Sequence, residues 1–535
     1  MKKTETEIEK SNQTGLFQSL VSLPFGMKLA LLFVAALLPR IFVLFQPNII
    51  TTDGVFYIEM AKAFSEGRYT GVPRDYFTLY PMMIYFVQRI LGDWELSGQL
   101  ISITLGALTV VPVFLLGRSL YSEKVGWFSA IFYITLPNFV QFDSQVLRDP
   151  TYWFFVAFSL WFVWEGLLRK RLIFFGLASI SAGLGAITRV DGFVLWGALA
   201  LLTLFRGFRA ISLKRGLLSL MLFILVFPLF LSPLLFFVKK QSTEIAFREM
   251  ISISVSVMKG TRLNPVDPRK AMSEKTYESL PMISKDALKL ASRHRAWIGI
   301  MEVIYKFVKS ANFLVFFILI GFWRRKREGF RFSDGYLLFV FAAFFLVDVF
   351  YTQQIYYFST RHGLTLVLPV LHFAGPGVIF ASEALSRIKK RIFPNGEFVK
   401  RYAPHLLTLI LVIIFAVQGV SSKTNKIVFK EVGRWLKEEG YKGSVMMAPK
   451  GFVRLVFYGD GKFVKMPGSW EEAIRRIHQD KARIVIIDGR TVKDDCPGFI
   501  ENWQGAGLFR LQGPVTKNER SVIEIYGVPP GLSSS

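Results

Sequence analysis

Residues 217–238 of the chain have the sequence LLSLMLFILVFPLFLSPLLFFV, which contains no charged residue. A helix of about 20 apolar residues is long enough to cross the hydrocarbon layer of a bilayer. Comparable apolar runs, among them residues 337–351 and 406–420, recur along the chain between polar connections. The pattern predicts a mainly α protein, a bundle of about eleven membrane-spanning helices.

We predict these spans at residues 27–46, 96–118, 125–142, 150–168, 172–188, 192–206, 216–238, 310–323, 335–351, 364–386 and 403–421. Basic residues cluster in alternate connections, at 169–171, 206–215, 324–331 and 387–401. The short connections between those clusters hold only three arginines, Arg148, Arg189 and Arg361. Because basic loops stay in the cytoplasm, this alternation predicts a cytoplasmic N-terminus and an extracytoplasmic C-terminus in a cell membrane.

The bulk composition limits the function classes. The formal net charge is +26, but the basic residues are scattered between spans and form no single stripe. This favours contact with anionic lipid headgroups over binding of nucleic acid. The single cysteine, Cys496, excludes an intrachain disulfide and a cysteine-based zinc site, and no GxxxxGK[ST] or HExxH motif is present.

The domain organisation follows from the shifts in composition. Residues 1–20 are polar and charged, and the apolar run that starts near Met27 has no small-residue cleavage pattern after it. Residues 1–26 are therefore expected to be a cytoplasmic segment before a retained first span. Residues 27–421 form the membrane domain, with outer loops at 47–95, which carries surface helices, and at 239–309, which is either a substrate-contacting lid or a spacer. Residues 422–535 predict a small extracytoplasmic α/β domain, with strands at 444–448, 483–488 and 521–526 and helices at 426–439 and 469–479.

The first candidate site residue is Asp53, a few residues after the first span and at the head of the predicted surface helix 53–66. Aspartate is favoured as a helix N-cap, so capping is one interpretation. The other is a general base, because an acceptor outside the membrane would be activated at this boundary.

The second candidate locus is the connection from Asp143 to Pro150, which also contains Arg148 and Asp149. Pro150 suits the first turn of a helix, and Asp149 suits its cap. Alternatively, Asp143 or Asp149 binds a divalent metal ion or a substrate hydroxyl, and Arg148 pairs with a phosphate.

Two further outer turns carry arginine. Arg189 and Asp191 are close enough in sequence to pair with each other. Arg361 follows Tyr357 and precedes His362, and we interpret it as a phosphate ligand, with snorkelling to the membrane surface as the alternative. A lipid phosphate would unify these residues, with its tail in the Phe-rich bundle and its phosphate beside the arginines, opposite a carboxylate.

Four features resemble the glycosyltransferase C superfamily, in particular the protein mannosyltransferases and the aminoarabinose transferases. They are Asp53 after the first span, the segment Tyr80-Pro81-Met82-Met83-Ile84-Tyr85, the pair Arg148-Asp149, and Arg361-His362 before a proline-containing late span. The resemblance covers roughly residues 27–390. Some relatives carry Lys or His where this chain has Tyr80, and some have a second acid where it has Gly54.

The resemblance implies an inverting transfer of a sugar from a polyprenyl-phosphate donor to an extracytoplasmic lipid, glycan or protein acceptor. It assigns the catalytic base to Asp53 and a supporting role to Asp149, with Arg148, Asp143, Arg361, His362, Arg189, Tyr80 and Tyr357 as substrate or phosphate contacts. Some members of the superfamily need a divalent metal such as Mg or Mn and others need none.

Two alternatives to a monosaccharide transferase stay open. An oligosaccharide ligase or polymerase would use the same class of lipid-linked donor. A transporter or flippase would carry ionisable groups in mid-span and matching halves of the chain, neither of which is evident in the sequence.

Overall fold

The computed structural model describes residues 21–67, 79–210, 213–239, 293–355, 357–392, 397–421, 427–490, 496–511 and 521–529, with a few shorter stretches between them. Most of the predicted outer loop 239–309, and Tyr356, lie outside the described residues. The first of two compact units comprises Met1–Val43, Ala61–Ser144 and Arg148–Val420, and the second comprises Leu44–Met60, Gln145–Leu147 and Ser421–Ser535.

The described apolar part of the chain consists of helices joined by short turns. The bounds are α1 (Phe25–Leu44), α2 (Thr52–Ser65), α3 (Leu79–Leu91), α4 (Trp94–Leu108), α5 (Val110–Leu120), α6 (Glu123–Thr135), α7 (Pro137–Asp143), α8 (Asp149–Arg169), α9 (Ile173–Thr188), α10 (Gly192–Ala210), α11 (Leu213–Lys239), α12 (Arg295–Ala311), α13 (Leu314–Glu328), α14 (Phe332–Ile355), α15 (Thr360–Val370), α16 (Ala374–Ile392) and α17 (Glu397–Gly419). The predicted surface helices at 53–66 and in the rest of the first outer loop correspond to α2 and α3.

Among the described residues, six helical stretches are long and apolar enough to cross a membrane: Phe25–Leu44, Trp94–Leu120, Asp149–Arg169, Leu213–Phe230, Phe332–Gln353 and Thr360–Ala384. A seventh is added if α12 and α13, which meet at an angle of 103°, count as one span. Each of the eleven predicted spans coincides with a helix, but several of these helices are short. The mainly α membrane bundle is confirmed, whereas the number eleven stays a prediction.

Three predicted spans contain an interruption. Span 96–118 is divided at Thr109 between α4 and α5, although the backbone of Thr109 stays helical, and span 125–142 breaks at Leu136, whose ψ of 118° is extended. Pro137 explains the second break, because a residue before proline avoids the helical region. The sharp turn between α12 and α13 is at Asn312, which has a φ of 54°. Asparagine adopts a positive φ more often than most other residues do.

Helices α13 and α16 cross with their backbones in contact. A Cβ atom on Gly321 would lie 1.9 Å from the Phe373 carbonyl oxygen, and one on Gly377 would lie 1.8 Å from that of Phe317. In a bilayer, helices gain little from hydrophobic burial, and small residues allow the close packing that holds them together. These two glycines therefore set the distance between the two helices.

The second unit contains a mixed sheet with strand order β2-β1-β3-β6-β4. Its strands are β1 (Val445–Ala448), β2 (Lys462–Lys465), β3 (Ile484–Asp488), β4 (Phe509–Arg510), β5 (Lys517–Asn518), which pairs with β6, and β6 (Ser521–Gly527). Strand β1 runs parallel to β2 and β3, and β6 runs antiparallel to β3. The helices are α18 (Ile427–Leu436), α19 (Val453–Tyr458), α20 (Trp470–Gln479) and α21 (Phe499–Asn502).

This unit confirms the predicted α/β pattern. The three predicted strands are β1, β3 and β6, and the two predicted helices are α18 and α20, the latter capped by the Ser469 side chain. Strand β3 is buried along its whole length, and apolar clusters cover both faces of the sheet. Strand β2 was missed, because an edge strand with a lysine at each end has little of the apolar signal that identifies a buried strand.

We expect Gly321→Ala to lower the thermal unfolding temperature of the purified protein in detergent. The added methyl group must move a backbone carbonyl, and overpacking of this kind costs about 1–3 kcal/mol. Gly197→Ala is the matched control, because nothing lies within 4 Å of a Cβ at that helical glycine. Equal unfolding temperatures for the two variants would contradict the close crossing of α13 and α16.

Candidate functional site

Arg189 lies in the turn between α9 and α10 and binds two carboxylates. Its Nη1 donates to Asp149 Oδ1, and its Nη2 and Nε lie 2.5 Å and 3.2 Å from Asp191 Oδ2. The guanidinium also lies over the ring of Tyr152, 5.3 Å from its centroid. The side chain is only 5% exposed. The predicted pairing with Asp191 is confirmed, and Asp149 is a second partner that the sequence did not indicate.

The charges in this turn compensate one another. Burial alone would lower the pKa of Arg189, but Asp191 and Asp149 raise it above its usual value. Burial opposes ionisation of Asp191 as well, yet the Arg189 guanidinium lowers the pKa of that carboxyl below its usual value. A buried charge is tolerated when it is paired and hydrogen-bonded. Arg189 and Asp191 therefore stay ionised, and they hold the turn in one conformation.

Asp149 is the first residue of α8, and Pro150 follows it in the first turn, as predicted. The prediction that Asp149 caps this helix is wrong, because Arg148 occupies the cap position and no side chain makes the capping hydrogen bond. The Asp149 carboxylate instead binds arginines through both oxygens, Oδ1 with Arg189 and Oδ2 with Arg361. A negative charge at this end of a helix is also stabilised by the helix dipole.

Arg361 is the more accessible of the two arginines that bind Asp149. It lies in the first turn of α15, its Nη1 is 3.5 Å from Asp149 Oδ2, and its side chain is 22% exposed. The neighbouring His362 ring packs against Phe358 and Tyr351, with centroids 5.3 Å and 6.0 Å away. Tyr357 is 62% exposed. Asp149, Arg189 and Arg361 come from three separate places in the chain, and the fold brings them into contact.

Asp53 is half-buried in the first turn of α2. The amide of Gly54 donates to the Thr51 hydroxyl at 2.9 Å, so Thr51 is the side chain that caps the helix. The interpretation of Asp53 as the cap is therefore wrong. Helix capping does not account for an aspartate at this position, and its role as a base stays a prediction.

Asp143 and Tyr80 lie in the packed interior of the first unit. Asp143 Oδ2 is 2.7 Å from Arg40 Nη2, and both side chains are fully buried. A Cβ on Gly106 would lie 2.4 Å from the Asp143 Cγ, so the carboxyl group fills the space above that glycine. The Tyr80 hydroxyl donates to the Gly98 carbonyl oxygen at 2.8 Å. These contacts favour a structural role for both residues over a contact with substrate.

Three residues near the arginines or in the core were missed at the sequence level. Arg40, the partner of Asp143, lies inside the predicted span 27–46. An arginine in such a span requires a partner, and none was predicted for it. Asp348 in α14 is 8% exposed and interacts electrostatically with Arg189 and Asp191. The buried hydroxyl of Tyr152 has no hydrogen-bond partner among the described residues. An acid inside the apolar run 337–351 was the one signal that could have identified Asp348.

The candidate carboxylates Asp143 and Asp149 do not fit the ligand set of a divalent metal ion. Within the described stretches, no group of three or more His, Cys, Asp or Glu side chains has the arrangement of a metal site. Both oxygens of Asp149 contact arginines, and the Asp143 carboxylate pairs with Arg40. A ligand set for Mg²⁺ requires several oxygen atoms that face one point, and neither carboxylate contributes to such a set.

Comparisons with known proteins agree with this architecture. Residues 78–236 match the model of the dolichyl-phosphate-mannose-protein mannosyltransferase family. The structure is similar to an oligosaccharyltransferase of Archaeoglobus fulgidus, solved with zinc and sulfate (TM-score 0.56, 12% identity, 86% of this chain and 68% of that one). The family model covers only part of the chain, and the likeness to the oligosaccharyltransferase shows a shared fold. The chain is a multi-pass membrane protein.

Two further solved structures hold a lipid phosphate. One is ArnT from Cupriavidus metallidurans bound to undecaprenyl phosphate (TM-score 0.53, 12% identity, 95% of this chain and 99% of that one). The other is the oligosaccharyltransferase AglB of Archaeoglobus fulgidus with an inhibitory peptide and a dolichol-phosphate (TM-score 0.50, 11% identity, 86% and 69%). At these identities the likeness shows the fold. No curated protein matches the chain by sequence.

We expect Arg40→Met to destabilise the protein strongly, because it leaves the buried Asp143 carboxylate without its partner. Breaking a buried ion pair in this way costs about 3–5 kcal/mol. Adding Asp143→Asn removes the orphaned charge with almost no change of shape and should restore most of the loss. Thermal unfolding in detergent measures both variants. If Arg40→Met alone were as stable as the wild type, the result would contradict a structural role for the pair.

Proposed function

We propose that the protein is an inverting membrane glycosyltransferase that moves a sugar from a polyprenyl-phosphate donor to an extracytoplasmic lipid, glycan or protein acceptor. The observation that carries the proposal is the partly exposed Arg361 guanidinium beside the buried Asp149 carboxylate, at helix ends of a glycosyltransferase C fold. The undecaprenyl phosphate held by ArnT and the dolichol-phosphate held by AglB, two proteins of similar fold, support the class of donor.

Arg361 is the best-suited phosphate ligand of the arginines in this region. A guanidinium binds phosphate oxygens through two parallel hydrogen bonds, and Arg361 has the exposure needed to do so. Arg189 is buried and engaged by two carboxylates, so it orients Asp149 rather than the donor. Three further residues complete the proposed surroundings of the headgroup. His362 follows Arg361, Tyr357 lies four residues before it, and Arg148 precedes Asp149.

In the proposed reaction Asp53 removes the proton from an acceptor hydroxyl as that oxygen attacks the anomeric carbon. The bond between the anomeric carbon and the phosphate oxygen breaks, and the polyprenyl phosphate leaves with the electron pair. Arg361 stabilises the negative charge that develops on the leaving phosphate. Attack from the face opposite the phosphate inverts the sugar configuration.

The orientation and the domain roles are part of the proposal. The alternation of basic loops supports a cytoplasmic segment 1–26 and a membrane domain 27–421 whose loops 47–95 and 239–309 face outward from a cell membrane. Residues 422–535 would then form an extracytoplasmic domain that contributes to acceptor binding.

Transfer of a whole oligosaccharide is the second candidate, and the likeness to the archaeal oligosaccharyltransferase favours it. Both candidates use a lipid-linked donor and the same acid and arginine groups. The mass gained by the acceptor in one turnover distinguishes them.

We expect Asp53→Asn to insert and fold normally but to lose transfer activity by about 100- to 10,000-fold, the usual contribution of a general base. The assay would use purified protein with a polyprenyl-phosphate sugar and an acceptor. Glu59→Gln is the matched control, because Glu59 is an exposed acid on the same helix. Wild-type activity in the Asp53 variant would refute the assignment of the base.

We expect Arg361→Gln to raise the KM for the polyprenyl-phosphate donor by about 10-fold or more, since a hydrogen bond to a charged group contributes about 1.5–3 kcal/mol. Arg361→Lys keeps the charge but not the two parallel hydrogen-bond donors, so its donor KM should lie between those of Arg361→Gln and the wild type. Arg118→Gln, which removes an exposed arginine at the end of α5, should leave the KM unchanged. An unchanged donor KM in Arg361→Gln would exclude this residue as the phosphate ligand.

A further inference from the structure

A tyrosine of the C-terminal α/β domain holds the segment that leads to Asp53. The backbone amide of Ile50 donates a hydrogen bond to the Tyr458 hydroxyl at 2.8 Å. Ile50 is 2% exposed, and Ile49 packs against the apolar cluster on one face of the sheet. Tyr458 is the last residue of α19 and lies more than 400 positions from Ile50 in the chain. The segment before Asp53 is therefore part of the α/β domain by its contacts, although it follows the first membrane helix in sequence.

The turn that starts α2 is also packed against the second outer connection. A Cβ on Gly54 would lie 2.9 Å from the Val146 carbonyl oxygen and 2.8 Å from Ile50 Cγ1, so only glycine fits there without displacing the backbone. The Thr51 hydroxyl, which caps α2, lies 3.5 Å from the same carbonyl oxygen. Residues 145–147 thus belong to the same compact unit as residues 44–60 and 421–535.

The Tyr458 contact lies close in sequence to the candidate base. Asp53 comes three residues after Ile50 and belongs to the same compact unit. A rigid contact a few residues from a functional group restricts where that group can move. In catalysis, a displacement of about 1 Å can cost about 100-fold in rate.

We propose that the C-terminal α/β domain positions the outer segment that carries Asp53, and that Tyr458 is the positioning residue. The inference rests on the proposed function for its catalytic consequence, and it gives the domain a role other than acceptor binding. In this proposal Tyr458 acts through its hydrogen bond to Ile50 and not through a contact with the donor or the acceptor. Removing its hydroxyl leaves the buried Ile50 amide without an acceptor, and an unpaired buried amide favours movement of the segment toward water.

The first measurement compares Tyr458→Phe with Tyr526→Phe. Both changes remove one hydroxyl from the α/β domain, but the Tyr526 hydroxyl bonds to Glu524 on the same strand, β6. We expect Tyr458→Phe to lower kcat by about 10-fold with the donor KM within twofold of the wild type, because the proposed phosphate ligand is unchanged. Tyr526→Phe should keep the wild-type kcat. An unchanged kcat in Tyr458→Phe, or an equal loss in both variants, would overturn the proposal.

The second measurement is amide hydrogen exchange of the peptide covering residues 47–55 in the full-length protein, and it needs no activity. We expect at least 10-fold faster exchange at Ile50 in Tyr458→Phe and no change in Tyr526→Phe. Equal protection of Ile50 in the wild type and Tyr458→Phe would overturn the positioning contact. If the wild type transferred no sugar from any polyprenyl-phosphate donor, the proposed function would fail, and the exchange result would still decide whether Tyr458 holds the segment.

Discussion

The arrangement of the first unit depends on one buried guanidinium. Arg189 pairs with the buried Asp149 at the start of α8 and with the partly exposed Asp191 just before α10. A buried ion without a partner costs several kcal/mol, so the three groups stay together or the local fold is lost. This requirement fastens the ends of helices that are distant in the chain. It also orients the Asp149 carboxylate, whose second oxygen faces Arg361.

The helices were predictable because each one contains an apolar run of many residues, so no single residue decides the prediction. Apolar runs such as 217–238 extend over many turns, and the position of every predicted span coincides with a helix. Their ends and bends were less predictable. Asn312 and Leu136 change the direction of the chain through a single backbone conformation, which hydropathy averaged over many residues does not detect. The number of membrane crossings depends on such bends and so does not follow from apolar length alone.

The candidate site was predicted in its residue types but not in its pairings. Sequence position indicated Arg189, Asp191, Arg361 and Asp149 individually, and only the neighbours Arg189 and Asp191 could be paired from the sequence. The two capping interpretations failed for different reasons. At α2 Thr51 makes the hydrogen bond that Asp53 was expected to make, and at α8 both oxygens of Asp149 bind arginines. The burial of Asp143 was not predictable from its neighbours in the sequence, because its partner, Arg40, comes from another helix.

The balance of charge explains how a donor phosphate would enter this site. Two carboxylates, Asp149 and Asp191, pair with two guanidinium groups, Arg189 and Arg361, so these four charges balance one another. A phosphate that binds either of these arginines must replace a carboxylate. Arg189 is the costlier one to release, because it is buried and bridges both acids. Arg361 is partly exposed and lies 3.5 Å from Asp149, so its guanidinium can exchange this carboxylate for a phosphate with less loss. On the proposed function, Arg189 would hold Asp149 in place while Arg361 moved to the donor.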